Sequence, residues 1–173
     1  SAETWRAHVA ALEQHHFLSL GMASDRGTGL VAGYQAACDT ALWVADYFHE
    51  GRDLYEVLQP LERSAYAAID TEYKAARTFA NAKSEANLLK RLAHYATAHR
   101  TCEQAMALYD HLALLLHWLR DALYVCSPSG RLRTQAQVRS ELLCLFDMLE
   151  ALDCAAMRTA LQPIRTHLDE IVA

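Results

Sequence analysis

The sequence comprises 173 residues, of which 53% are hydrophobic, and this is enough apolar material to bury the core of one domain. With 16 basic and 21 acidic residues, the net charge is −5, which excludes a protein that coats nucleic acid by bulk charge and leaves only a local basic patch for such contacts. The five cysteines have no CxxC spacing, so a disulfide framework and a four-cysteine zinc site are disfavoured. This cysteine usage favours a reducing, cytoplasmic setting. Since no apolar run approaches the roughly 20 residues of a membrane span, we expect no membrane partner.

The first 50 residues are predicted to form a small α/β unit. Apolar side chains over residues 5–12 recur at the spacing of a short helix. The apolar run over 17–23 predicts a strand, a helix is expected near 27–38, and the apolar run over 41–47 is typical of a second strand covered on both faces. We expect the two strands to run parallel because a helix connects them.

The chain changes character near residue 50 and is rich in Ala, Leu, Glu, Lys and Arg from there on. This composition and its three- and four-residue apolar periodicity predict a bundle of long helices. The expected helices cover 50–81 with a bend near Pro60, then 84–125, 132–151 and 154–172.

Two polar motifs follow the predicted strands. Asp25 belongs to the segment SDRGTG after the first strand, and Asp46 and His49 belong to DYFH after the second. The carboxyl ends of parallel strands are where α/β sheets place ligands and metals. The structural alternatives are a helix cap at Asp25 and a strand-end polar pair at Asp46 and His49.

The order of these motifs resembles a known enzyme family. WRAHVAAL, an apolar strand, SDRGTGLVAGY and a strand that ends in DYFH are similar to the middle of bacterial insertion-sequence transposases of the DDE type, which have a ribonuclease-H-like core. The resemblance is most specific over residues 1–58. It implies that Asp25 is the second catalytic aspartate and that Asp46 and His49 match a C/D-x-x-H motif of several branches of the family.

The resemblance also implies a domain organisation, which we describe as α/β followed by all-α. Residues 1–50 would be part of the ribonuclease-H-like core, and residues 51–173 would be the helical insertion that separates the second catalytic aspartate from the final glutamate. The first aspartate and that glutamate would then lie outside this sequence, so the chain by itself is expected to be inactive. Glu103 is the one glutamate here that we considered for the final position, and its helical neighbours favour a place on the bundle surface.

The chemistry implied for the intact protein is Mg²⁺-dependent DNA strand cleavage and transfer, acting on transposon ends. Two Mg²⁺ ions in such a site activate the attacking oxygen and stabilise the leaving oxygen of the phosphate, and hard cations need oxygen ligands. Asp25 would be the metal ligand in this chain. Asp46 and His49 would lie beside the metal ions as further catalytic residues, with His49 near the phosphate.

A local basic interval provides a candidate DNA contact. Residues 74–100 contain six lysines and arginines against Glu85 alone, whereas residues 1–50 have a net charge of −4. We predict DNA-backbone contacts from this interval, by Lys83, Lys90, Arg91 and His94. A solvated helix surface is the alternative explanation of the same charges.

A second function class stays open on the sequence alone, namely a non-enzymatic helical bundle that acts as a protein-interaction module, and a homo-oligomer is a further candidate assembly. Glu13-x-x-His16 and Asp46-x-x-His49 also have the spacing found in di-iron bundles, but that motif needs both copies on helices, and the second copy follows a predicted strand. Adjacent parallel strands at Asp25 and Asp46 would favour the transposase over the bundle.

Overall fold

The structure is a computed structural model that describes residues 1–17, 19–24, 27–38, 42–124, 126–127 and 129–172. These residues are mostly helical. In chain order the elements are α1 (Ala2–Gln14), β1 (Gly21–Ser24), α2 (Thr28–Ala37), β2 (Leu42–Ala45), α3 (Tyr47–Glu56), α4 (Leu58–Ala80), α5 (Glu85–Ala122), α6 (Gln135–Glu150), α7 (Ala155–Thr166) and α8 (Leu168–Ile171).

The two short strands form a parallel pair joined by α2. Their register places Gly21 opposite Leu42 and Ser24 opposite Ala45. The predicted parallel order and the connecting helix are therefore confirmed, although each strand has only four residues and is shorter than the apolar run that predicted it. Helix begins again directly after β2, at Tyr47, so the predicted extent of the second strand is too long.

Helix α1 packs against α2 at a point where only glycine fits. A Cβ atom placed on Gly33 would lie 2.4 Å from the carbonyl oxygen of Ala2 and 2.6 Å from the Cβ of Trp5. The Ser19 and Tyr34 hydroxyls are 2.8 Å apart and join the segment before β1 to α2. The absent side chain at Gly33 thus lets α1 lie close to the strand–helix–strand unit.

The main apolar core lies among α3, the second half of α5, α6, α7 and α8. Its largest fully buried side chains include Phe146, Leu112, Leu116 and Leu142. The Tyr55 hydroxyl donates to the Leu116 carbonyl over 3.2 Å and so ties α3 to α5. Because α3 follows β2 directly, this core fixes the helix that leaves the strand pair.

Helices α4 and α5 form a long antiparallel hairpin that extends beyond this core. Its buried side chains are small, because small residues allow two helices to approach closely. The Arg91 guanidinium donates to the Thr78 carbonyl over 2.8 Å near the turn. We call residues 74–96 the tip of the hairpin, and residues 58–73 with 97–112 its base. Apart from Leu112, which belongs to the main core, the side chains buried in the hairpin are Ala65, Ala75, Ala98 and Cys102.

Two of the predicted helices are divided in the structure. The helix predicted over 50–81 with a bend near Pro60 is divided into α3 and α4 at Val57, three residues before Pro60. Pro60 lies in the first turn of α4, where a helix needs no N–H donor and therefore tolerates proline. The helix expected over 154–172 is broken at His167. Among the described residues, none of the helices is both long and apolar enough to cross a bilayer.

Candidate functional site

The carboxyl ends of β1 and β2 meet at one edge of the strand pair. The Asp46 backbone N–H donates to the Ser24 carbonyl oxygen over 2.8 Å, which continues the ladder one residue past β2. Ser24 is the residue directly before Asp25 in the chain. The backbone that precedes the predicted catalytic aspartate is therefore bonded to the backbone of Asp46.

The side chain of Ser24 is hydrogen-bonded to a tryptophan of the neighbouring strand, a contact that the sequence pattern did not predict. Ser24 is 7% exposed, and its hydroxyl accepts a hydrogen bond of 3.0 Å from the indole N–H of Trp43. Since Met22 lies opposite Trp43, the indole reaches along the sheet past its own register partner. The bond joins β1 to β2 through side chains at the end where the polar motifs begin.

The structure places the three predicted catalytic residues, Asp25, Asp46 and His49, only in part. Asp25, which is also the predicted metal ligand, lies outside the described residues. Asp46 is half-buried at the end of β2. His49 is in the first turn of α3, where its backbone alone is described. Among the residues that are described, no three His, Cys, Asp or Glu side chains come together as a metal site.

The glycines of SDRGTG lie at the start of α2. Gly27 is the N-cap residue, and its carbonyl accepts from the N–H groups of Leu30 and Val31. Gly29 lies inside the helix. The alternative of Asp25 as the N-cap therefore does not agree with the structure, since the helix starts two residues later than that alternative requires.

The predicted DNA-binding residues lie near the tip of the hairpin but do not share one face. Lys83 precedes α5, in the turn, and Lys90 is exposed on that helix. Arg91 points to α4 and lines an open groove with Lys74 and Arg77. The remaining residue, His94, lines a different groove, together with serine, threonine and alanine side chains of both helices. The helical pairing thus brings two α4 cations close to Arg91, which spacing along α5 alone could not indicate.

A polar cluster in the middle of the hairpin contains Glu103, the glutamate considered above. His99 Nδ1 is 2.7 Å from Glu72 Oε1, and its Nε2 is 3.5 Å from Glu103 Oε1. The hydrogen bond to Glu72 raises the pKa of His99, and hydrogen bonds from Cys102 and His99 lower the pKa of Glu72. The hydrogen bond between the Cys102 thiol and Glu72 also raises the pKa of that thiol, which disfavours the reactive thiolate. These residues join α4 to α5, and exposed Glu103 lies on the bundle surface as expected.

Glu13 and His16, the first copy of the di-iron spacing, lie at the end of α1 and just after it. Glu13 accepts a hydrogen bond from the Cys38 thiol, with 3.4 Å between sulfur and oxygen. His16 follows α1 with a positive φ of 64°. Asp46 and Glu13 belong to different parts of the N-terminal unit, one at a strand end and one on α1.

Comparison with known proteins gives no family for this chain: no family model matches it, and no significant match is found among curated proteins or solved structures.

Proposed function

We propose that this chain is part of a DDE transposase and that the intact protein cleaves and transfers DNA strands with Mg²⁺. In this proposal residues 1–50 belong to a ribonuclease-H-like catalytic core, and residues 51–173 are a helical insertion into it. Such an enzyme acts on chromosomal DNA, and we accordingly place it in the cytoplasm of a bacterium.

The observation that carries the proposal is the parallel β1–α2–β2 unit with its two motifs at one edge. The hydrogen bond from the Asp46 N–H to the Ser24 carbonyl joins the strand ends that precede the two predicted aspartates. This is the edge at which open α/β sheets bind their ligands. A helix-only chain would have offered no such edge.

Uncovered apolar surface beside β1 gives further support. Leu12, Phe17 and Leu20 are 54%, 66% and 80% exposed. Purely parallel sheets are normally covered on both faces and contain more than two strands. We propose that additional strands of the core extend this pair and cover these side chains.

The bound Mg²⁺ ions would supply activation of the attacking oxygen and stabilisation of the leaving oxygen. Asp25 is the ligand that this chain would contribute, and the other carboxylates would come from outside these residues. Trp43 and Ser24 would act as positioning residues, because their hydrogen bond holds the backbone that leads into Asp25. Asp46 and His49 would contact the substrate beside the metal ions.

The hairpin tip is the proposed DNA contact of the insertion. Five basic side chains and one acidic side chain lie in residues 74–96, so the tip has a net charge of +4 on a chain that is acidic overall. Cations of this kind bind phosphates and position DNA without reading its sequence.

The experiment is a strand-cleavage assay of the intact transposase with Asp25→Asn. We expect cleavage to be lost and DNA affinity to stay within about twofold, because the change removes a metal ligand and no phosphate-binding cation. Asp53→Asn is the matched control, since Asp53 is exposed on α3 and pairs with its neighbour Arg52. Full cleavage by Asp25→Asn would contradict the proposal.

The second candidate, a non-enzymatic protein-interaction module, is favoured by one observation, the exposed apolar side chains of the hairpin. Tyr66, Ile69 and Tyr73 are 66%, 40% and 60% exposed on α4. The two candidates are compatible, since an insertion domain can carry an interface. They are separated by the cleavage assay, in which an interaction module alone has no activity to lose.

A further inference from the structure

One side of the α4–α5 hairpin carries exposed apolar side chains from both helices, on either side of the polar cluster at His99. On α4, Tyr66, Ile69 and Tyr73 are separated by three and four residues and so lie on one face. On α5, Leu92 and Met106 are each seven residues from His99. Because seven residues are nearly two turns of a helix, the three side chains lie along one line on its surface. Leu88, one turn before Leu92, extends that line towards the tip. These six apolar side chains, all at least 40% exposed, form what we call the hairpin face: Tyr66, Ile69, Tyr73, Leu88, Leu92 and Met106.

The two lines lie on the same side of the hairpin. His99, in the middle of the α5 line, is bonded to Glu72 of α4, which is three residues beyond Ile69. A contact between the two helices at these positions brings the α5 line next to the α4 line. Exposed apolar surfaces of this extent mark interaction sites.

The charges along the hairpin are divided between its two ends. The tip has a net charge of +4. The base contains five acidic and two basic residues and has a net charge of −3. A hairpin laid antiparallel on a copy of itself therefore places each positive tip over a negative base, and such complementarity selects an orientation as well as a partner.

We propose that the hairpin face binds the same face of a second copy of this chain, with the two hairpins antiparallel. In this arrangement α4 faces α4 and α5 faces α5, so Leu88 and Leu92 of one copy lie towards Met106 of the other. Ile69 and Tyr73, halfway along α4, lie near the twofold axis and meet their own counterparts. The surface is isologous, as in most homodimers.

The size of the hairpin agrees with an interface of this kind. Helix α4 has 23 residues and is about 35 Å long. Two helices side by side, with axes about 10 Å apart, present a strip about 20 Å wide. The face therefore covers roughly 700 Å² per copy, close to the roughly 800 Å² per partner of a standard interface.

The first experiment measures the mass of the 173-residue chain by light scattering at micromolar to tens of micromolar concentration. We expect twice the monomer mass of 19.4 kDa, and a monomer for Ile69→Lys with unchanged helical circular dichroism. The matched control is Leu132→Lys, because Leu132 is 76% exposed but lies after α5, away from the hairpin. A wild-type monomer at all concentrations, or a dimer that persists in Ile69→Lys, would overturn the proposal.

The second experiment tests the antiparallel orientation without depending on a disruptive change. The exposed cysteines Cys126 and Cys144 are first replaced by serine. In that background, oxidation should cross-link Ile69→Cys between copies and leave Ser84→Cys, at the tip, uncross-linked. Efficient cross-linking of Ser84→Cys with little at Ile69→Cys would show a parallel arrangement and refute the proposal.

A DNA-binding role for the face is the competing outcome. If the chain is monomeric and Tyr73→Ala lowers its affinity for duplex DNA severalfold, the hairpin face binds DNA and the proposal of a dimer is wrong. These results are independent of the cleavage assay above, since a dimer can form in a protein without transposase activity and cleavage can be lost in an intact dimer.

Discussion

The crossing of α1 and α2 can be tested by two glycine substitutions with opposite expected effects. A Cβ on Gly33 would lie 2.4 Å from the Ala2 oxygen, 2.6 Å from the Trp5 Cβ and 2.9 Å from the Arg6 nitrogen. Non-bonded carbon atoms prefer about 3.5 Å or more, so α1 would have to move away by roughly 1 Å in Gly33→Ala. Overpacking of this kind costs about 1–3 kcal/mol, and alanine regains up to about 1 kcal/mol through its helix propensity. We expect a net loss of about 1–2 kcal/mol.

Gly29→Ala is the matched control in the same helix. The nearest atoms to a Cβ on Gly29 lie 3.6 Å away, at ordinary contact distance, in the backbone of Ser1 and Ala2. This substitution should therefore be neutral or stabilise α2 by up to about 1 kcal/mol.

Hydrogen exchange measured by mass spectrometry is the suitable assay, because it reports α1 and α2 separately from the helical core. A loss of one to two kcal/mol corresponds to exchange faster by a factor of about 5–30. Peptides of α1 and α2 should show this increase in Gly33→Ala and not in Gly29→Ala, with peptides of α6 unchanged in both. Equal or slower exchange of α2 in Gly33→Ala would refute the close helix crossing.

Three further predictions concern the strand pair, the tip and the polar cluster. Trp43→Phe removes the hydrogen-bond donor to the buried Ser24 hydroxyl and should destabilise the strand pair by about 1 kcal/mol. Hydrogen exchange of the β1 and β2 amides measures this loss, and unchanged exchange would contradict the hydrogen bond between Trp43 and Ser24. Replacing Lys83 and Lys90 by alanine should flatten the slope of log K for DNA against log salt by about 1.8, and an unchanged slope would assign both to solvent. Because Glu72 raises the pKa of His99, the folded hairpin holds that proton more tightly than the unfolded chain. Its extra stability is present at low pH and is lost as pH rises above the ordinary histidine pKa of 6.5; a thermal melting series should show this, and the dependence should vanish in His99→Gln.

The parts of the fold that were predictable are those with strong local signals. Two continuous apolar runs separated by a helical segment predicted the parallel pair, and uninterrupted periodicity predicted α5. A sequence carries less information on where a helix breaks. We predicted the bend near Pro60 because proline disfavours a helix interior. The helix instead breaks three residues earlier, at Val57, and Pro60 lies in the first turn of α4.

Long-range contacts explain most of the remaining differences. Gly29 and Gly33 lie in the helix that was expected near 27–38, but nothing in the local pattern indicated that Gly33 serves the contact with α1. Arg91 was assigned to DNA from its position along α5, and its guanidinium bonds the end of α4. The bond between Trp43 and Ser24 depends on strand register, which a single sequence does not specify to one residue.

The central claim is that Asp25 and Asp46 border one metal site in the intact protein, and iron-mediated cleavage of the polypeptide tests this most directly. Fe²⁺ in place of Mg²⁺, with added hydrogen peroxide as oxidant and ascorbate to reduce the Fe³⁺ formed, produces hydroxyl radicals that cut the backbone close to the bound ion. We predict two cuts, near residues 25 and 46, that excess Mg²⁺ suppresses and that Asp25→Asn abolishes. Cuts at neither position, or cuts unaffected by Mg²⁺ and by Asp25→Asn, would contradict a catalytic metal site at this edge.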